Sequence, residues 1–392
     1  MRNTDKLLII AGIVLISFNL RTPITAVGSV IDLIQAEYGL SAAVAGGITT
    51  LPLLMFAAVS PFVARISAKM GSGKTMALGL VLLAVGEIVR SYTGVVGLFV
   101  GTGLIGAGIA VGNVLIPSII KLNFPGRVGV MTGIYTSGMC VFAAVGAGTS
   151  IPLAKDLGFG WTGALAFWFV LAVITMVVWL PQVRNSSGEE MDHTRCCSKT
   201  SIWKSRTAWW VTIFMGIQSL VFYTLVAWLP SIVMAKGMTD EFAGMVAFIY
   251  QIVAIPATLA VPMLCDRMRD QRALSVAIAA VYIVGLAGLL MLDGEAAIVM
   301  SVILMSLGMG GAISIAIAFI SLRSPNAVRT GELSGMSQSA GYLLAAVGPM
   351  MVGSIFDATG SWTIPMVLFI VFMALWGFCG LFAGADVKTP ED

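Results

Sequence analysis

The chain is short of charge. Of its 392 residues only 10% are Asp, Glu, Lys or Arg, while 58% are hydrophobic and the mean hydropathy is +0.98. A soluble protein carries about a quarter charged residues, so this scarcity excludes a water-soluble fold. Histidine occurs once, as His193. The five cysteines, Cys140, Cys196, Cys197, Cys265 and Cys379, have neither metal-ligand spacing nor the layout of a disulfide framework. No metal site, cofactor or enzyme active site is therefore expected. His193 has no catalytic partners, and Cys196-Cys197 reads as loop. A net charge of +3 gives no reason to expect a nucleic-acid partner.

What is abundant is long apolar runs. Runs of about 20 apolar residues cross the hydrocarbon core as helices. About twelve are legible, over 7–30, 41–65, 75–93, 95–121, 128–153, 162–183, 208–234, 242–264, 272–292, 296–322, 331–356 and 362–384. They are too long for membrane strands and lack period-two alternation. The first run continues past Arg21 without a small-residue cleavage site, so it reads as a span and not as a signal peptide. With the N-terminus in the cytoplasm, eighteen of the 22 basic residues fall at cytoplasmic ends and loops. Lys155 and Lys236 fall outside, and Arg21 and Arg90 within spans. External loops carry Asp32, Glu37, Asp156, Asp240, Glu241, Asp293, Glu295 and Asp357. This asymmetry obeys the positive-inside rule and places both termini in the cytoplasm.

A polar stretch, Arg184 to Arg206, divides the chain near its middle, and a shift of about 200 residues aligns the halves. Pro61 pairs with Pro262, Gly106 with Gly308, Pro125 with Pro325, the AAVG at Ala143 with the AAVG at Ala345, and the GW at Gly160 with the GSW at Gly360. The expected organisation is a six-helix bundle over 1–183, a cytoplasmic linker over 184–207 and a second six-helix bundle over 208–392. It is an all-α membrane protein with the parallel repeat of major facilitators, whose substrate site lies between the halves near the membrane midplane.

Polar residues inside spans are the candidate site. A charge at mid-span costs roughly 2.5–3.5 kcal/mol or more, so it normally faces a cavity. Arg21 lies deep in the first span, beside Asn19. Pro23 lacks an N–H and its ring displaces the carbonyl of Asn19, which points to a kink there. The alternative is an arginine tied to backbone carbonyls. Glu87 and Arg90 share one face of span 3, either as an interfacial pair with Arg90 snorkelling or with Arg90 as a second cation at a cavity mouth. Glu87 is the sole carboxylate placed clearly inside a span, and hence the sole candidate for coupling to an ion. Asn113, Tyr135, Gln218, Tyr223, Gln251, Gln338 and Tyr342 recur at mid-span and could hold a small polar solute, or simply bond helix to helix.

The short basic loops after spans 2 and 8 are candidate gating loops. Asp266 and Arg267 follow the loop signature of major facilitators, in which an acid and basic residues latch adjacent helices. The first copy has Ala64 and Arg65 where the acid is expected. Two strings mislead. GSGKT at Gly71 resembles the end of a phosphate loop, but Ala68 stands where Gly is required. GTGLIG at Gly101 matches a dinucleotide pattern yet lies inside a span. Its glycines, Gly97/Gly101 and Gly108/Gly112, have the spacing of close helix packing.

Four stretches carry a resemblance over nearly the whole chain: NLRTPITAVG from Asn19, GNVLIPSIIKLNFPGR from Gly112, AWLP from Ala227 and LSGMSQSAGYLLAAVGP from Leu333. Together they resemble the cyanate/2-nitroimidazole permease branch of the major facilitator superfamily. WLPQ at Trp179 and TTLPLL at Thr49 lean toward the nitroimidazole side. The resemblance implies a secondary transporter of the bacterial cytoplasmic membrane, acting as a monomer. It would move a small nitrogenous or anionic solute by alternating access. A multidrug-type efflux pump for small aromatic compounds and a passive channel are the alternatives.

Overall fold

A computed structural model describes residues 3–40, 42–185 and 201–389. Every regular element among them is helical. The helices are α1 (Asn3–Tyr38), α2 (Ala42–Met70), α3 (Ser72–Tyr92), α4 (Gly94–Asn123), α5 (Val128–Ile151), α6 (Gly160–Ala166), α7 (Trp168–Asn185), α8 (Arg206–Met234), α9 (Asp240–Ile252), α10 (Ala254–Arg267), α11 (Arg272–Met291), α12 (Glu295–Leu322), α13 (Ala327–Thr359) and α14 (Thr363–Ala383). A π-helical turn, Pro152–Asp156, extends α5, and a short 3-10 turn, Ile202–Lys204, precedes α8.

Twelve stretches among the described residues are long and apolar enough to cross a membrane. Several helices outrun the apolar core that the sequence marks. α1 has 36 residues and α13 has 33, because backbone pairing continues into the polar ends where hydropathy no longer signals it. Two spans are each built from two helices. One breaks at Phe167, between α6 and α7. The other breaks at Val253, between α9 and α10. Pro256 explains the second break, since its ring meets the carbonyl of Ile252 and it brings no N–H. Elsewhere the ends obey ordinary capping chemistry. Ser205, Thr239 and Asn326 accept from Ala208, Phe242 and Arg329 N–H at 3.3, 3.2 and 2.9 Å. Gly360, with φ 63°, closes α13 in the left-handed conformation.

The chain forms two compact units. One comprises Met1–Asn123 and Gly138–Lys199, the other Phe124–Ser137 and Thr200–Glu391. The first turns of α5 thus belong with the second unit, packed on α10. The expected linker falls largely outside the described residues, and His193 and Cys196-Cys197 with it.

Within the first unit α3 and α4 meet backbone to backbone. A Cβ on Gly108 would lie 2.5 Å from the Gly79 carbonyl, and one on Gly86 would lie 2.8 Å from the Gly101 carbonyl. The working spacing is therefore seven residues, Gly79/Gly86 against Gly108/Gly101. Of the four-residue pairs expected from the sequence, Gly97/Gly101 also turns to α3, a Cβ on Gly97 lying 2.8 Å from the Val89 carbonyl and one on Gly101 meeting Arg90 N, whereas Gly108/Gly112 is split, Gly112 facing Leu20 of α1. The second unit repeats the device, Gly285 and Gly308 bringing α11 against α12. Without a hydrophobic drive between helices in lipid, such close approach supplies the dispersion contacts that hold a bundle.

Candidate functional site

In the first unit the polar residues gather around the proline of α1. Asn19 is buried, and its Nδ2 donates to the Leu15 carbonyl at 2.8 Å and to Thr175 Oγ1 of α7 at 2.7 Å. It therefore ties α1 to α7. Arg21 is 5% exposed, too deep for a side chain reaching to solvent, and its charge acts on Cys140 of α5. Thr22 and Thr25 return their hydroxyls to backbone carbonyls of α1, at Phe18 and Arg21. Asn113 is buried on α4.

Arg90 does not snorkel. It is 1% exposed, and its Nη1 donates to the Pro23 carbonyl at 2.7 Å. Its Nε and Nη2, and both carboxyl oxygens of Glu87, have no hydrogen-bond partner among the described residues. Arg90 thus grips α1 two residues beyond Arg21, and the interfacial ion pair that the spacing suggested is not formed.

In the second unit the site residues fall mainly on α8 and α13. These helices run in the same direction and touch along their length. Thr212 and Ser337 hydroxyls lie 3.2 Å apart, and a Cβ on Gly216 would lie 3.2 Å from the Gly341 Cα. Gln218 of α8 and Gln338 of α13 are each 2% exposed. Gln218 Nε2 and Gln338 Oε1 have no hydrogen-bond partner among the described residues, although Gln218 Oε1 accepts from Ser219 at 3.3 Å. One amide presents a donor and the other an acceptor. Tyr223 and Tyr342 meet edge to face on the same pair, centroids 6.0 Å apart. Gln251 is half-buried on α9 beside the break, and Tyr135 is buried on α5.

Of the candidate gating residues, Asp266 makes a latch. Its carboxylate accepts from Gly129 N–H at 2.8 Å and Val130 N–H at 3.2 Å, capping α5. Arg267 and Arg65 are exposed. Sequence reasoning missed the polar wiring behind Asp266. Arg323, counted there as one more loop charge, is buried, and Gln271 binds it. The one available signal was its place just before Pro325, which does not distinguish a buried arginine from a solvated one.

The model of the Major Facilitator Superfamily matches residues 8–349. The chain is 44% identical to the uncharacterized transporter YycB of Bacillus subtilis (strain 168), over 96% of this chain and 94% of that protein. It is 37% identical to the 2-nitroimidazole transporter of Escherichia coli (strain K12), over 97% and 96%, and 23% identical to the cyanate transport protein CynX of the same organism, over 89% and 90%. Among solved structures, the proton:xylose symporter XylE shares the fold with a TM-score of 0.77 at 12% identity, over 96% of this chain and 94% of that one. Twelve spans, a two-fold repeat and polar groups buried at mid-span are features of a small-solute secondary transporter and not of an enzyme. The chain is a multi-pass membrane protein that belongs to the Major Facilitator Superfamily, in its cyanate/2-nitroimidazole permease branch.

Proposed function

We propose that the chain carries a small aromatic nitrogen heterocycle of the nitroimidazole kind across the cytoplasmic membrane by alternating access, with both termini in the cytoplasm. The observation that carries this reading is the unpaired amide donor of Gln218 and unpaired amide acceptor of Gln338. From the α8–α13 register the two are offset by five residues, about 7 Å at roughly 1.5 Å per residue. That offset leaves room for a flat solute whose nitro oxygen accepts from Gln218 and whose ring N–H, next to the nitro-bearing carbon, donates to Gln338. A site built to bond such groups rejects analogues lacking them, because its own buried groups are then left unpaired. Tyr223 and Tyr342 supply aromatic faces. On the first unit Arg21 is the polar anchor, and Asn19 fixes the α1 segment that bears it. Asn113, Tyr135 and Gln251 complete the polar set.

Purified protein tests this. 2-Nitroimidazole raises the unfolding temperature, since a ligand of the folded state stabilises it, and imidazole without the nitro group does so less. Gln218→Ala and Gln338→Ala each weaken binding about tenfold, a loss of about 1.4 kcal/mol, and Arg21→Ala abolishes it while leaving insertion intact. Saturable counterflow in proteoliposomes separates a carrier from a channel. No thermal shift with 2-nitroimidazole, or an unchanged affinity in both glutamine variants, overturns the substrate assignment.

A further inference from the structure

The chain enters its second unit through a turn that the transport site does not use. The turn Ile202–Lys204 leads through Ser205 into α8. Ile202 is buried, and the turn packs on α8 and α13. The residues around it stay open. Trp203 is 44% exposed and Trp209 41%, and Lys204 and Arg206 are exposed with them. Trp209 Nε1 donates to the Trp203 carbonyl at 2.8 Å, and the two indoles meet edge to face, centroids 5.9 Å apart. The turn is thus held in shape while its rings and cations remain accessible.

The charge there is of one sign. No Asp or Glu occurs between His193 and Thr239. Lys204 and Arg206 have no ion-pair partner among the described residues. The acids of the neighbouring elements are already engaged: Glu332 of α13 accepts from Arg329 at 2.8 Å, and Asp386, beyond α14, lies 3.7 Å from Arg323. α8 has no acid in its first turn, so the positive end of its dipole adds to the same field.

An apolar face adjoins these cations. Next to Trp209, Trp210 stacks on Phe382 of α14 with centroids 4.4 Å apart, and Phe378 meets Phe382 edge on at 5.3 Å. Phe378 and Phe382 are exposed. The apolar span of α8 opens at Arg206 and that of α14 closes at Ala383. Because Trp210 and Phe382 touch, both ends lie at one membrane boundary. Tryptophans and basic groups stand at headgroup level, where an indole can keep its N–H in polar surroundings. Phe378 lies one turn farther into the span. A soluble partner does not fit such a surface, since its aromatic half is inside the lipid-spanning length. The opening of the first unit has no counterpart: no aromatic residue precedes Phe18, and Asp5 sits among its charges.

We propose that the turn from Trp203 to Arg206 and the end of α14 form a binding site for one anionic phospholipid. Lys204 and Arg206 take the phosphate, the Trp203 indole N–H donates to the headgroup, and the acyl chains lie on Trp210, Phe382 and Phe378. The site does not rest on the identity of the solute. On the proposed orientation it lies in the inner leaflet, where anionic lipids draw basic side chains next to a span. The lipid anchors the start of α8, the helix that bears Gln218, at a fixed depth.

The test uses purified full-length protein in phosphatidylcholine nanodiscs. These carry a small fraction of brominated-chain phosphatidylglycerol or, in a parallel set, brominated-chain phosphatidylcholine. Bromine quenches tryptophan at contact, and the signal lost in Trp210→Phe reports the lipid at this face. Phosphatidylglycerol is favoured over phosphatidylcholine there by about 25-fold, and added salt weakens the preference. Lys204→Gln and Arg206→Gln each lower it about fivefold, which is roughly 1 kcal/mol for one basic residue near an anionic surface. The double variant has none. In detergent, phosphatidylglycerol raises the unfolding temperature of wild type above that of the double variant, as a ligand of the folded state does. Equal quenching of wild type by the two lipids overturns the proposal, and this comparison needs no charge variant to fold. A preference unchanged in the double variant overturns the role of the two cations. Loss of the preference on adding inorganic phosphate alone makes the site one for a free anion and overturns the lipid assignment.

Discussion

The two repeats part company at their basic-loop ends. In the second unit, Arg323 at the end of α12 donates from Nε to the Ala383 carbonyl and from Nη2 to the Gly384 carbonyl, both at 2.9 Å, and also to Gln271 Oε1. Its Nη1 lies 3.7 Å from Asp386, and its guanidinium sits 5.2 Å from the Phe319 ring centre. Gln271 Nε2 donates in turn to the Met268 carbonyl at 2.5 Å and the Cys265 carbonyl at 3.3 Å. Last carbonyls of a helix have no partner of their own. Here those of α10 and α14 converge on one amide and one guanidinium beside the end of α12. Burial holds the Arg323 guanidinium below the usual arginine range, and the Asp386 carboxylate opposes that shift. Some 200 residues earlier the corresponding places hold Asn123, Gly71 and Ala64-Arg65. Asn123 donates to Ile119 of its own helix at 2.9 Å, and Gly71 has no side chain to offer. The helix-pair packing is present in the first unit without this wiring, so packing does not need it. What the wired end has and the plain end lacks is an acid, Asp266, held against the start of α5. The network is therefore a mount for that latch.

Removing the centre of the mount has the largest expected effect. Arg323→Ala strips donors from three buried acceptors and leaves them unsatisfied. Hydrogen bonds to charged groups contribute roughly 1.5–3 kcal/mol each, so a loss of about 3–5 kcal/mol, typical of breaking a buried charged contact, is expected in detergent unfolding experiments. Arg323→Lys restores only part of it, because an ammonium cannot reproduce the fork. A loss below about 1 kcal/mol would remove the distinction between the two ends. The latch itself comes next. A Cβ on Gly129 would run into the Pro262 carbonyl and the Asp266 carboxyl, so Gly129→Ala destabilises by about 1–3 kcal/mol through overpacking. Asp266→Ala removes a cap for about 1 kcal/mol. Both speed amide hydrogen exchange at 129–131, and in both the mount around Arg323 keeps its protection.

Most of the fold was legible in the sequence, because burial in lipid writes itself as uninterrupted apolar runs. All twelve spans and the repeat are read from hydropathy and proline landmarks. Helix breaks were not, since a one-residue interruption at Phe167 or Val253 leaves the hydropathy unchanged. Arg21, Asn19 and Arg90 stood out because a charged or polar group inside a span is costly and therefore conspicuous. Their partners did not. Thr175 and the Pro23 carbonyl are ordinary residues, and which of them a polar group reaches depends on how helices pack. Arg323 was invisible for the opposite reason: at a basic loop a buried arginine and a solvated one look alike.

The smallest effect is the most discriminating. Asn123 stands where Arg323 stands in the repeat, and its amide bonds within its own helix. Asn123→Ala should cost no more than about 0.5 kcal/mol, as for surface changes away from any special feature, in the same unfolding assay that registers Arg323→Ala. Asn123→Arg should not restore what it replaces, because Gly71 offers no amide to receive a guanidinium and no acid follows at Ala64. If either change matched Arg323→Ala in size, the two ends would carry equal weight, and the latch at Asp266 would no longer explain why only one of them is wired.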